Sequence, residues 1–294
     1  MVNTRGLYQP HMITAARQVL LELAYVLEED LDKIVFVGGT ACALLFPQDT
    51  DPHEGTIDVD IALNLTALAD AGLYTLEEKL FCANFQQDAL KVGETSRSLK
   101  KYRWYRTAHI DGTPQAYEIA VELLSGEYED SHRFAGSREV QGVHASVLRG
   151  LDLAFLDPRL VPLAGLLPDG SAYETTIQIC SPASLLAMKG IAIGDRLQGA
   201  DKDAFDIDYI LRRFEGGPAA LARVLQIEID LDNGLVQEGL QGIAKAFQSL
   251  DAVGPTSVAS SSRYLEAEER AIVQQGAFLR VQSLLQTLKI VPLP

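Results

Sequence analysis

Two aspartates stand two residues apart in an apolar, β-branched run, Thr56-Ile57-Asp58-Val59-Asp60-Ile61-Ala62-Leu63. Side chains alternate faces along a strand, so Asp58 and Asp60 emerge on one face, with their Cα atoms roughly 6 to 7 Å apart. Like charges on one face of a half-buried strand are costly unless something positive sits between them, and a divalent cation is the obvious neutraliser. A second stretch, Lys33 to Val37 followed by Gly38-Gly39-Thr40, reads as a short buried strand, a tight turn and the start of a helix. Such a turn offers backbone N–H groups to a phosphate, although paired glycines after a strand also serve as plain turns.

A third acid enters from Gln115 to Leu124, where strand alternation puts Glu118 and Glu122 on the face of Ala120, and Ile119, Val121 and Leu123 on the other. Sheet pairing that brought one of these glutamates beside Asp58 and Asp60 would complete an oxygen-rich site for a hard cation. An edge position or an ion pair is the competing account. Between these acids lies the one markedly basic segment: Lys91, Arg97, Lys100, Lys101, Arg103 and Arg106 against Glu94. In Lys100-Lys101-Tyr102-Arg103-Trp104-Tyr105-Arg106 aromatics and cations interleave, as on a surface that stacks bases and pairs phosphates. A solvated edge strand that carries charge against aggregation reads equally well.

Further along, Ser181-Pro182 is a helix start, and the helix it opens, to about Leu197, carries Lys189 and Arg196 about 10 Å apart along its axis. After the turn Gln198 to Ala200, Asp201 caps a helix from Lys202 to Phe214, with Asp203 and Asp206 on one side. Acids in a first helical turn are favourable by themselves, and these two could equally pair with Lys189 or Arg196.

The elements that must hold these residues follow from periodicity. Helices are expected at His11 to Glu29, Ala41 to Phe46 before Pro47, Leu65 to Ala71 and Thr75 to Gln86. Gln48 to Gly55 reads as a polar loop with Asp49, Asp51, Pro52 and Glu54, Val140 to Phe155 as short strand or loop, and Pro158 to Gly170 as a long connection. Pro218 to Ile229, Leu235 to Leu250 and Arg263 to Lys289 read as helices, separated by Asp230 to Gly234 and a Pro255 to Ser262 linker. Strands and helices mix up to residue 180 and only helices follow. The expected fold is α+β: a mixed-sheet domain over 1–180, then an all-helical domain over 181–294 that contributes Lys189 and the Asp203/Asp206 segment.

Composition narrows the function class. Of 294 residues, 47% are hydrophobic and 22% charged, as in a globular rather than a disordered chain. A net charge of -15 argues against broad adhesion to nucleic acid or an anionic membrane and leaves room for a local basic site. No apolar run reaches membrane-spanning length and the start lacks a signal-peptide pattern, so a cytoplasmic location is the expectation. Cys42, Cys82 and Cys180, odd in number and widely spaced among apolar residues, read as buried reduced thiols.

With these motifs placed, the chain resembles the nucleotidyltransferases of the DNA polymerase β superfamily, whose hallmarks are a glycine turn opening a helix, an Asp-x-Asp strand and a later acid in an apolar strand. Here these are Val37-Gly38-Gly39-Thr40, Asp58-Val59-Asp60 and Val121-Glu122-Leu123-Leu124. Lys189 to Asp206 further resembles the signature of the AbiEii-type, toxin-like branch, a Lys followed by an Arg and a Lys-Asp-x-x-Asp segment. The resemblance implies transfer of a nucleoside monophosphate from an NTP to an acceptor, with two Mg2+ ions on Asp58, Asp60 and Glu122. It also implies that Gly38, Gly39, Thr40, Lys189, Arg196, Asp203 and Asp206 serve the nucleotide. An RNA or tRNA acceptor touched by Lys100, Lys101, Arg103, Trp104 and Arg106, and a cognate antitoxin as partner, fit that branch. A small-molecule acceptor, as in antibiotic-modifying relatives, a protein side chain as acceptor, and a non-enzymatic binding or scaffold domain are the alternatives.

Overall fold

A computed structural model of the chain describes residues 10–47, 57–70, 72–87, 100–110, 112–127, 136–196, 201–228, 232–261 and 266–291. Thr56, the loop acids Asp49, Asp51 and Glu54 with Pro52, the cations Lys91 and Arg97 with Glu94, Leu197, the turn 198–200, Asp230, Ser262 and Arg263 lie outside the described residues. The chain forms two units, one drawn from Tyr8–Leu44 and Gly55–Cys180, the other built on Ser181–Pro294, with which Leu45–Glu54 groups.

The first unit is a mixed sheet. In chain order its strands are β1 (Ile34–Val37), β2 (Asp58–Leu63), β3 (Gln86–Gln87), β4 (Arg103–His109), β5 (Ala116–Ser125), β6 (Ser137–Val140), β7 (Val143–Val147), β8 (Arg159–Leu166) and β9 (Ala172–Ile179). They run β3-β4-β5-β2-β1-β9-β8, with β7 pairing β5 and β6 beside this path. β1, Ile-Val-Phe-Val, is buried at all four positions, as a β-branched run flanked by strands on both sides should be. Helix α1 (Pro10–Val26) contacts β2, β4, β5, β8 and β9 and buries Val19, Leu20, Leu23 and Ala24. Two shorter helices, α2 (Gly38–Leu45) and α3 (Leu76–Cys82), complete the unit; α3 opens on a capping box between Thr75 and Glu78.

Several expected elements differ. In place of the helix expected over Leu65 to Ala71, the described residues Leu65 to Asp70 form turns and bends, started by Asn64, whose side chain accepts the Ala67 N–H at 3.1 Å; Ala71 lies outside the described residues. The helix expected to reach Gln86 stops at Cys82, and Asn84 enters the left-handed region at φ 61° before β3. The connection expected over Pro158 to Gly170 contains β8, where Pro162 is tolerated because β8 is the outer strand of the sheet. Cys42 and Cys180 are buried but Cys82 is exposed, at the end of a helix too short to cover it.

The second unit is helical: α4 (Pro182–Asp195), α5 (Asp201–Arg213), α6 (Gly217–Glu228), α7 (Gly234–Ala246), α8 (Val253–Ser261) and α9 (Ala267–Leu288). The linker expected at Pro255 is α8; the proline sits in the helix's first turn, where its missing N–H has no intrahelical partner to lose. α4 and α7 meet backbone to backbone. A Cβ on Gly190 would overlap the Gly239 carbonyl, one on Gly239 the Ala187 carbonyl, and one on Gly242 the Gly190 carbonyl.

Candidate active site

The register of three neighbouring strands assembles the acids. β2 and β5 are parallel with Asp58 opposite Ala120 and Asp60 opposite Glu122, and β4 pairs antiparallel to β5 with Arg103 opposite Glu122 and Tyr105 opposite Ala120. Residues opposite one another share a face, so Asp58, Asp60, Glu122, Arg103 and Tyr105 occupy one face of the sheet. Val59, Ile61, Val121 and Trp104 take the other, all at most 1% exposed. Glu118 pairs with Thr107, two residues before Ala120, and is exposed; the register therefore sets Glu122, not Glu118, beside Asp60.

The glycine turn reaches this row directly. Gly38 has φ +68°, and a Cβ there would overlap Asp60 Oδ2 and lie 3.1 Å from its Cγ, so only glycine lets β1 turn into α2 against the carboxylate. Two residues on, the Thr40 hydroxyl donates to the Asp58 main-chain carbonyl at 3.2 Å. It thereby straps the first turn of α2 to the strand that carries both aspartates. The hydroxyl expected to serve a phosphate is thus engaged in holding Asp58.

Glu122 is held as well. Arg103 donates Nη2 to Glu122 Oε1, with both side chains about one-quarter exposed or less. Burial opposes the charge on Arg103, but the hydrogen bond to Glu122 and contact with Tyr105 outweigh it and hold the guanidinium above its ordinary value. Among the described residues no three His, Cys, Asp or Glu side chains gather closely enough to hold a metal ion. The all-oxygen donor set of Asp58, Asp60 and Glu122 suits a hard cation, and the sheet register brings the three onto one face. Of the three, Glu122 is the one bonded to Arg103.

The aromatic and two arginines of the basic segment are occupied elsewhere. Trp104 is fully buried and packs edge-on against Phe81, with ring centroids 5.0 Å apart, so it has no face to offer a base. Arg106 makes a two-pronged pair with Glu22 of α1, at 2.8 and 2.9 Å, on the face away from the acids. Arg103 belongs to Glu122. These three placements share one cause: period-2 alternation sends Trp104 and Arg106 into the sheet–helix layer and Arg103 onto the acid face. Lys100 and Lys101, which precede β4, are exposed. The outer partner of β4 among the described residues is only the two-residue β3, so most of the strand is a sheet margin.

Glu22 escapes a reading of the sequence because it is one acid within an apolar helical run. The signal that could have found it is its place between Leu21 and Leu23, both 3% exposed or less.

In the helical unit, Ser181 caps α4 by accepting the Ser184 N–H at 3.2 Å. Further along α4, Lys189 Nζ lies 2.6 Å from Asp206 Oδ2 and 3.1 Å from Asp203 Oδ1. Asp206 is fully buried, whereas Arg196, 3.7 Å from Asp203, is 67% exposed. The structure therefore brings Lys189, Asp203 and Asp206 into one buried ion cluster, with Arg196 at its rim. A second cluster that sequence reasoning did not single out joins Asp208 to Arg280 at 2.7 Å.

Comparison with known proteins bears on the family of the chain. A family model described as nucleotidyl transferase AbiEii toxin, type IV toxin–antitoxin system, matches residues 20–271. The chain belongs to the AbiEii nucleotidyltransferase family. The resemblance carried by the glycine turn, the Asp-x-Asp strand and the Lys189 to Asp206 segment thus holds over most of the chain, both units included. Among solved structures, JHP933 from Helicobacter pylori is similar at 12% identity and a TM-score of 0.44, covering 96% of this chain and 94% of that one. A second H. pylori chain, whose nucleotidyltransferase assignment is provisional, is similar at 11% identity and a TM-score of 0.34, over 96% and 98% of the two chains. No curated protein matches the sequence. No described helix of this AbiEii-family chain is long and apolar enough to cross a membrane.

Proposed function

We propose that this AbiEii-family chain transfers a nucleoside monophosphate from an NTP to an acceptor, with release of pyrophosphate, at the face that bears Asp58, Asp60 and Glu122. The observation that carries the reading is the register of Asp60 with Glu122 beneath a glycine turn that abuts the Asp60 carboxylate. Asp58, Asp60 and Glu122 are the residues that would hold Mg2+. Bound there, the metal supplies charge neutralisation to the attacking and leaving oxygens of an in-line displacement.

Each protein group then has a defined task. Gly38 and Gly39 keep side chains away so that the backbone N–H groups of the α2 N-terminus can meet the triphosphate. Thr40 fixes the Asp58 backbone, and Glu122 is the group positioned to accept the acceptor's proton. Lys189 is the cation for the terminal phosphates, oriented by Asp203 and Asp206, and the exposed Arg196 supports it. We place the acceptor in RNA, with tRNA ends as the class to examine first. That choice is supported by the exposed Lys100 and Lys101 beside β4 and by the family's description as a toxin, and Trp104, Arg103 and Arg106 take no part in it. The same description supports a cognate antitoxin as partner.

The test is incubation of the purified chain with each labelled NTP, Mg2+ and total RNA. A labelled RNA that disappears with Asp58→Asn and Asp60→Asn is the expected result. Label that appears instead on a small-molecule pool reassigns the acceptor, and no label on any pool together with no Mg2+-dependent NTP binding overturns the enzymatic reading.

A further inference from the structure

Three side chains lie in one row across three strands: Arg103 on β4, Glu122 on β5 and Asp60 on β2. The order of charge along the row is plus, minus, minus. Glu122 therefore meets an incoming cation with its charge already balanced by a neighbour bonded to it. That neighbour is an arginine, which stays charged at every accessible pH and so can leave Glu122 only by moving, not by losing its proton. Bonding to Glu122 does not use all of its donors: its Nε is buried without a hydrogen-bond partner. Strands in a sheet lie about 4.8 Å apart, so a guanidinium displaced from Glu122 stays within one side-chain length of the acid row. Phosphate oxygens match its planar fork as well as a carboxylate does.

We infer that Arg103 is a positioning residue that exchanges Glu122 for a phosphate when metal and triphosphate arrive together. This rests on the reading of Asp58, Asp60 and Glu122 as the metal-holding acids. Before substrate binds, Arg103 satisfies the third acid and keeps the row from collecting a bare cation. When a cation brings its own polyphosphate, Glu122 turns to the cation and Arg103 turns to the phosphate, so no charge is left unpaired at either end. Arg103 thereby makes the site select the metal–polyphosphate complex over the metal alone. Nothing is transferred in this exchange; only ion pairs change partners.

The experiment measures Mn2+ affinity by electron paramagnetic resonance in the whole chain, with and without inorganic tripolyphosphate, for wild type, Arg103→Gln, Arg103→Lys and the Asp58→Asn/Asp60→Asn pair. Arg103→Gln removes a positive charge beside the site and a charge-assisted donor. It should tighten bare Mn2+ about threefold to tenfold and weaken Mn2+–tripolyphosphate roughly tenfold. Arg103→Lys, which keeps the charge and loses the fork, should leave bare Mn2+ near wild type and still weaken the complex. Arg103→Gln that weakens bare Mn2+, or leaves both affinities unchanged, overturns the exchange. Should Arg103→Gln fail to fold by circular dichroism, Arg103→Lys decides: an undiminished affinity for the complex overturns it. Wild-type Mn2+ binding that Asp58→Asn/Asp60→Asn does not abolish removes the metal site itself, an outcome separate from any result at Arg103.

Discussion

Gly38 and Asp60 touch so closely that the first has no room for a side chain while the second keeps its carboxylate where it is: a Cβ on Gly38 would stand 3.1 Å from Asp60 Cγ and 3.3 Å from its Cβ. Gly38→Ala therefore carries two penalties, the left-handed φ of +68° and the displacement of Asp60. Gly170 has the same kind of backbone, φ +83°, but a methyl there would meet nothing within 4 Å, so it isolates the first penalty. Gly170→Ala should cost about 1 to 3 kcal/mol of stability and leave nucleotidyl transfer intact. Gly38→Ala should cost more and also abolish transfer, as read by thermal melts beside a labelled-NTP assay.

Glu122 and Glu118 share a strand face but not a neighbour. Only Glu122 stands in register with Asp60, so Glu122→Gln should lower kcat by at least about a hundredfold, a loss typical of removing a group that acts in the transition state. Glu118→Gln should remain within about twofold of wild type. Equal losses in the two variants would return the third acid to doubt.

The Lys189 cluster predicts a stability result as much as a kinetic one. Asp206 is fully buried and 2.6 Å from Lys189, so Lys189→Met removes the ammonium that faces a buried carboxylate and should cost roughly 3 to 5 kcal/mol. Lys189→Met with Asp206→Leu, which removes both charges, should recover most of that loss in denaturant titrations while transfer stays absent. Activity that returns with stability would make Lys189 a purely structural cation.

How far the sequence reveals this arrangement depends on the range of the interaction. The strands carrying Val59, Ile61 and Val121 and the helix opened by Ser181-Pro182 are legible in it, because alternation and capping are local. The pairing of Arg103 with Glu122 is not, because 19 residues separate them and only the sheet register brings them together. Trp104 misleads for the same reason: beside lysines and arginines it suggests a stacking surface, yet one residue of strand phase turns it into the core. Pro255 and Pro162 read as breakers in the sequence, where position, in a helix's first turn and on an outer strand, makes them harmless.

Asp30 makes the sheet unit sensitive to acid. Burial pushes its carboxyl up, but the hydrogen bonds from Lys33 and Lys79, both 2.8 Å, outweigh this and hold it below its ordinary value of 3.8. A depressed acid stabilises the fold fully above its unfolded pKa and loses that contribution as pH falls through the folded one. Asp30→Asn should cost roughly 1 to 3 kcal/mol at pH 7 and flatten the decline in Tm below about pH 4. A Tm profile parallel to wild type through that range would contradict it.

Among the described residues of the basic segment, Lys100 and Lys101 are exposed cations. Lys100→Glu with Lys101→Glu should weaken RNA binding and reduce the slope of log affinity against log salt by about 1 to 2, as expected when two phosphate contacts are lost. Trp104→Phe should leave RNA affinity unchanged, because the ring lies inside the protein.

The three glycines and the alanine where α4 crosses α7 have a mechanical consequence for Lys189, which is the residue before Gly190. Two helices that touch through main-chain atoms have no side-chain cushion to compress and no rotamers to rearrange between them. α4 cannot slide or roll on α7 without a collision of carbonyl and α-carbon, so the pair behaves as a single beam. Any displacement that carries the Lys189 ammonium toward or away from a ligand must carry α7 with it, and a label on α7, far along the chain from residue 189, would register that stroke.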